Sequence, residues 1–299
     1  MPLFRPPGSS NNGDGGSIAR QAAWNEALAH STVPGFVKDR LAQTVAGTRP
    51  WVTTAGPAGL LAQRSHGIRP LGLVSGNCWF HFGYSWTRGH YEGWHTAIDR
   101  LRLEAALMGA NAVVDVTMRV RRMPGTENES HMDYAVMGTA VRLEGLPESA
   151  NPALATVSAL EFARLLEAGI VPVGIAIGAH YDWLALPGGV TPGAATFWNQ
   201  EITPLSTFLT QVRRRALQEL RDDGTRLGSG VLAHTQHTEL YAIEPDENNP
   251  YPRFLARYIA IGTAILHDSR SRRQFGVRPV MSVSDSGRLG VTDTTREVL

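Results

Sequence analysis

Ten histidines, one cysteine and an adjacent pair of aspartates are the residues of this chain best suited to chemistry. Soft metals are held by clustered thiolates, and zinc by Cys or His at close spacing. Cys78 alone cannot build such a site within one chain. His234 and His237, in HTQH, stand three apart, and on a strand that spacing sends them to opposite faces unless the strand bulges. His66, His81, His90, His95 and His180 are scattered among aromatic and turn residues and read as packed or surface side chains. A symmetry axis offers one opening: a single Cys78 or His180, repeated around it, becomes a ring of ligands.

Enzyme signatures are missing. A P-loop needs a lysine, and Lys38 is the only one. No GxSxG elbow occurs, and Gly228-Ser229-Gly230 reads as a helix terminus. Asp222 and Asp223 close a helix, where paired acids are expected to be solvated. Trp79, Trp86, Trp94, Trp183 and Trp198 have the makings of an aromatic platform, but core or interface packing is the commoner use of such rings. The sequence therefore assigns no catalytic, cofactor-binding or metal residue.

Composition narrows the partners. The formal net charge is +1, so no global field draws the chain to nucleic acid or anionic lipid. The basic residues are almost all arginine, as a GC-rich coding genome would produce. Short clusters stand at Arg119, Arg121 and Arg122, at Arg213 to Arg215, and at Arg270, Arg272 and Arg273. The middle cluster fans around a helix axis and reads as a solvated face. No apolar run approaches the ~18 residues of a membrane span, and MPLFRPPGSSNNGDGGS lacks the layout of a signal peptide. The expectation is a soluble, cytoplasmic protein with no membrane partner.

The elements that would position these residues are written twice. GIRPLGLVSG from Gly67 returns as GIVPVGIAIG from Gly169, an offset of 102 residues. LMGANAVVDV from Leu107 returns as RLGSGVLAHT from Arg226, offset 119, and VMGTAVRL from Val136 as AIGTAILH from Ala260, offset 124. Collinear echoes with growing offsets read as a duplicated domain carrying insertions. Asp115 and His234 fall at equivalent positions, which argues against a shared catalytic role.

Each copy opens with a short helix, Pro57 to His66 or Ser158 to Ala168, closed by Gly67 or Gly169. Apolar runs of strand length follow, LGLVSG and VGIAIG, whose glycines mark bulges or close backbone approach. Trp94, Ile98, Leu101, Ala105 and Met108 form the stripe of a half-buried helix, matched by Leu205, Leu209, Val212, Ala216 and Leu220. Thr203 is the expected N-cap of the second helix with Pro204 at its first position, and Gly109 and Gly228 are expected to close the last turns. Val114, Val116, Met118 and Val120 alternate with polar residues as on a strand buried on one side. MPGTENES and EPDENNPYP make the hairpin loops, and the returning strands are Met132 to Leu143 and Phe254 to Leu266.

The fold class is α+β: tandem duplicated β-α-β-β units, each a small antiparallel sheet with one long helix packed on it. The boundaries read 1–16 flexible tail, 17–52 helical segment of two helices joined at Pro34-Gly35, 53–147 first unit, 155–268 second unit and 269–299 C-terminal tail. Three strands and one helix bury little surface and leave open edges, so duplication and oligomerisation are the expected remedies.

The phrases PLGLVSG, EAALMGANAVVDV and MGTAV resemble the YbjQ family, whose heavy-metal-binding label is a proposal attached to sequence. The first unit, about 66–145, resembles it well. The second, about 155–268, matches at Gly174, Gly178, Gly228, Gly262 and Thr263. The resemblance implies a β-α-β-β fold and ring-like homo-oligomers, pentamers in the family. The functional expectation is a non-enzymatic assembly protein that partners itself. The alternative is a metal- or small-ligand-binding module with sites at subunit boundaries, and nucleic-acid binding ranks third. Two fused units cannot tile one five-membered ring, so the expected pentamer has two stacked layers bridged by the linker Leu146 to Thr156.

Overall fold

A computed structural model of the chain describes residues 14–81, 85–122, 131–185, 201–243, 253–267, 282–283 and 289–290. Two helices come first, α1 (Asp14–Ala29) and α2 (Gly35–Val45), and Pro34 is the N-cap of the second. The break falls at Pro34-Gly35 because proline's fixed φ and missing N–H interrupt a helix. Residues 14–16, read from sequence as tail, belong to α1; residues 1–13 lie outside the described residues.

The remainder is two runs of strand, helix, strand, strand. In the first, α3 (Pro57–Ser65) leads into β1 (Ile68–His81), α4 (Trp86–Leu107), β2 (Ala112–Arg122) and β3 (His131–Leu143). In the second, after β4 (Ala153–Leu154), α5 (Ala159–Glu167) leads into β5 (Ile170–Ala185), α6 (Thr203–Leu227), β6 (Gly230–Ile243) and β7 (Arg253–His267). The fold is α+β, and each main sheet sets its returning strand in the middle, in the orders β1-β3-β2-β4 and β5-β7-β6. All pairings are antiparallel except β4, which adds to β2 in parallel. Two short strands, β8 (Ser282–Val283) and β9 (Leu289–Gly290), pair with each other; the rest of the expected C-terminal tail and both hairpin loops lie outside the described residues.

Glycine sets how the long helices sit. A Cβ at Gly76 would run into the Ala97 carbonyl oxygen of α4, and one at Gly178 into that of Ala216 of α6. Helix backbone thus crosses strand backbone directly, a contact only glycine permits. Gly67 and Gly169 close α3 and α5 at φ +66° and +76°, as expected. Gly228 does not close α6 that way: its φ is −164°, and it is required because a Cβ would strike the Ile265 carbonyl. Thr203 is the first residue of α6 and not its cap; Ile202 takes the cap position without a side-chain bond. The expected strands at 71–76 and 173–178 are longer than their apolar runs because β3 and β7 pair with them along their length.

The alternation of Val114, Val116, Met118 and Val120 is also broken. Asp115 has φ +53° and the pairing with β3 shifts register between Val114 and Thr117. Val114 therefore joins a cluster under α5 with Ile68, Leu143 and Phe162, whereas Val116 faces the main core. That core spans both runs. It joins Trp94, Ile98 and Val113 to Ile175, Ile177, Ala179, Ile259 and Ile261, all on the face of the second sheet away from α6. The alternate residues Ala176, Ala256, Tyr258 and Ala260 pack on α6, as the pleat requires. The expected linker is no spacer: Ala155 N–H donates to the Val113 carbonyl at 2.9 Å, and β4 extends the first sheet. Among the described residues no helix is long and apolar enough to cross a membrane.

Candidate functional site

Buried polar side chains form three sets, of which Asp223 and His90 reach across the junction of the two runs. The first is a pair of carboxylates. Glu104, near the end of α4, accepts the Ser75 N–H of β1 through Oε2 at 2.9 Å. Asp223, near the end of α6, accepts the Ile177 N–H of β5 through Oδ2 at 2.8 Å. Ser75 and Ile177 lie 102 apart, and Glu104 and Asp223 lie 119 apart, the offsets of their glycine neighbours. β1 and β5 are edge strands, so each acid occupies an N–H that would otherwise be open for pairing.

Their electrostatics diverge. Burial raises the Glu104 carboxyl, and Ser75 N–H and the Arg40 guanidinium at 3.2 Å only partly offset it. Burial would raise Asp223 too, but His95, Arg226 and the Ile177 N–H outweigh it and hold the carboxyl below its ordinary range. Arg226 lies 2.9 Å from Asp223, His95 Nε2 lies 3.5 Å away, and the Tyr91 hydroxyl donates to it at 3.2 Å. Tyr91 and His95 come from α4. The acid of the second run is thus satisfied by the first run's helix.

The second set is Tyr134, His90, Tyr181 and Arg257. His90 is fully buried; its Nδ1 meets the Tyr134 hydroxyl at 2.6 Å and its Nε2 meets the Tyr181 hydroxyl across the junction. Arg257 donates to the Tyr181 hydroxyl at 3.3 Å. Burial, reinforced by the Arg257 charge, pushes His90 well below its ordinary pKa, so the ring is neutral and can bond one tyrosine through each nitrogen. Burial raises Tyr134, which keeps its proton. The third set is a matched pair of threonines. Thr139 Oγ1 accepts the Thr54 N–H at 2.9 Å, and Thr263 Oγ1 accepts the Thr156 N–H at 2.9 Å. Each ties the segment ahead of a run to its central strand. These arrangements fasten backbone and join segments; their polar groups are directed at one another.

The residues singled out by sequence are mostly elsewhere. Cys78 is buried in the main core and its thiol is pushed up by burial, so it cannot line a shared axis. His180 lies beside Arg215 at 3.3 Å, and burial together with that charge lowers it. His66 is buried 3.9 Å from Glu167. The β6 register shifts at His234, the bulge on which convergence with His237 depends, but both side chains lie outside the described residues. Trp94 is buried against Tyr134, Trp79 and Trp183 are exposed, and the side chains of Trp86 and Trp198 are outside the described residues. Arg213 to Arg215 are exposed, with Arg213 stacked over Tyr258. Asp223, expected to be solvated, is 2% exposed. Its signal was available: it stands 119 residues after Glu104, the same offset that separates Gly109 from Gly228.

Residues 84–144 match the YbjQ family, described as "Putative heavy-metal-binding". The match covers α4, β2 and β3 and leaves β1 and the whole second run outside it. The chain is also similar to an encapsulin nanocompartment protein of Mycobacterium tuberculosis, 23% identical over 184 residues, which cover 56% of this chain and 70% of that protein. No solved structure matches it significantly.

The metal named in the family description finds no closed site here. Among the described residues no group of three or more His, Cys, Asp and Glu side chains comes together to hold an ion. Two histidines come nearest. His81 Nδ1 and His131 Nε2 face each other at 3.2 Å across paired strands, on the surface. Two imidazole nitrogens at ~2.0–2.1 Å on a tetrahedral zinc lie roughly 3.3 Å apart. The pair has the spacing of two such ligands, and its two rings are at hydrogen-bonding distance from each other.

Proposed function

We propose that this protein is a non-enzymatic, cytoplasmic assembly protein. It consists of two tandem YbjQ-like units, residues 53–147 and 155–268, behind a helical segment, 17–52, and it associates with itself into a symmetric homo-oligomer. One observation carries the reading: the outer face of the second sheet closes the core of the first run, with Ile175, Ile177, Ile259 and Ile261 packed among Trp94, Ile98 and Val113. One unit recognises another, and the chain already holds one such contact. The repeated pairs Glu104/Asp223, Thr139/Thr263 and Gly76/Gly178 support the tandem reading. The name of the Mycobacterium relative, a nanocompartment protein, supports the assembly reading. The stacked pentamer drawn from the family has residues 146–156 bridge two layers, and of these residues 153–154 pair with β2 as strand β4.

Sedimentation velocity and native mass spectrometry at micromolar concentration test the proposal. A discrete oligomer is expected, and a monomer at every concentration overturns it. A second reading has its own observation, the His81–His131 pair: a metal site completed by a neighbouring copy at a subunit boundary. Element analysis of the purified oligomer decides it, with a stoichiometric transition metal lost in His131→Ala in its favour and a metal-free oligomer against it.

A further inference from the structure

The contact inside the chain leaves an equivalent pair of surfaces unused at its two ends. The first unit gives the outward side of α4 and the open edge of β2. The second unit gives the outer face of its sheet and its leading segment, whose Ala155 exchanges hydrogen bonds with Val113 and Val116 at 2.9 and 3.2 Å. Among the described residues the helix side and edge of the second unit, α6 and β6, have no such cover, nor does the part of the first sheet's outer face around Trp79; the other end of that face lies under α5.

Equivalent positions make the vacancy measurable. Ile98 of α4 is 1% exposed, whereas Leu217, 119 residues on in α6, is only half-buried. His90 is buried, whereas its counterpart Leu209 is half-buried. Val113, paired with Ala140, is buried on β2, whereas Val231, paired with the equivalent Ala264, is half-buried on β6, whose outer edge pairs with no strand among the described residues. These are apolar side chains at positions that the other unit covers. The complementary end is open as well. Val52, the counterpart of Leu154, is 60% exposed, and Trp79, the counterpart of Tyr181, is 57% exposed.

We propose that the α6–β6 face of one copy binds the first unit of the next, with residues 51–55 adding to the β6 edge as residues 153–157 add to β2, and Val52 and Trp79 covering Leu209 and Leu217. The occupant is a second copy of this chain, because the surface that covers the equivalent α4–β2 face within the chain has its exposed counterpart on the first unit, at Val52 and Trp79. The contact is head-to-tail, so every copy both gives and receives, and growth ends when a ring closes or continues as a filament. Units then alternate, first to second to first, within one layer. This deepens the self-assembly reading and rests on it.

A mixing experiment separates the two. Val52→Asp with Trp79→Asp disables the receiving unit at exposed positions; Leu209→Asp with Leu217→Asp disables the giving face. Each variant alone should sediment as a monomer with the circular dichroism of the parent. An equimolar mixture should give a 1:1 dimer and nothing larger, because one intact face of each kind remains. A wild-type chain that is itself monomeric sinks the assembly reading. A wild-type oligomer whose mass survives Val52→Asp with Trp79→Asp sinks this inference alone, as does a mixture of two folded variants that stays monomeric. If the Leu209→Asp, Leu217→Asp chain does not fold, the mass of the Val52, Trp79 variant still decides.

Discussion

The phenol ring of Tyr181 stacks on the imidazole of His90, centroids 4.7 Å and planes 17° apart, with its hydroxyl on Nε2. The two residues belong to different runs, and the His90 side of the bond is fully buried. Tyr181→Phe keeps the stack and removes that hydrogen bond. A hydrogen bond contributes about 0.5–1.5 kcal/mol net, and each kcal/mol lowers Tm by roughly 2–4 °C in a chain of this size. A thermal melt should show that drop. An unchanged Tm would mean that the hydroxyl contributes nothing to the junction.

The two buried acids should respond to pH in opposite senses. Asp223 titrates below its ordinary 3.8 when folded, so its stabilisation is complete above that value and fades as pH falls through the folded pKa. Glu104 titrates above its ordinary 4.5, so the folded chain holds that proton more tightly, and stability from this group declines as pH rises through the folded value. Asp223→Asn should therefore cost more at neutral pH than Glu104→Gln, which copies the protonated form. Denaturant midpoints measured from about pH 3 to 7 check this. Equal losses at neutral pH would contradict the assigned directions.

Thr139→Val and Thr263→Val should destabilise alike. Each swap keeps the shape and strands a backbone N–H, that of Thr54 or of Thr156, now bonded at 2.9 Å. The expected loss is about 1–3 kcal/mol for each, read from urea midpoints at constant m-value. A large loss at one site and none at the other would mean that the two threonines do not hold equivalent places.

Much of this fold is legible in the sequence because local chemistry dictates it. Pro34 caps the start of a helix, Gly67 and Gly169 take positive φ, and the stripe from Trp94 to Ala105 needs a cover. The junction is less legible because its partners are far apart in sequence. His90 meets Tyr181 and Tyr91 meets Asp223 only after the second sheet folds over α4. Asp115 at φ +53° could not be read either, since aspartate takes that conformation far less often than glycine and nothing nearby marks it. The bulge there moved Val114 into a different core from Val116. Period-two patterning assumes an unbroken ladder.

A core shared between units has a thermodynamic signature. Ile98 of α4 and Ile177 of β5 lie in one buried cluster, so removing either side chain opens the same core. Residues in one packed cluster couple by about 0.5–3 kcal/mol, whereas distant sites add within roughly 0.5 kcal/mol. Ile98→Ala and Ile177→Ala should each cost about 2–5 kcal/mol. The double variant should lose measurably less than their sum, because the second deletion enlarges a cavity that already exists. The parent chain should also unfold in one calorimetric transition, since the main core is built from residues of both runs. Two resolved transitions with strictly additive losses would mean that the units fold as independent bodies and merely touch. The junction would then be a contact between finished domains, and a second copy could displace it.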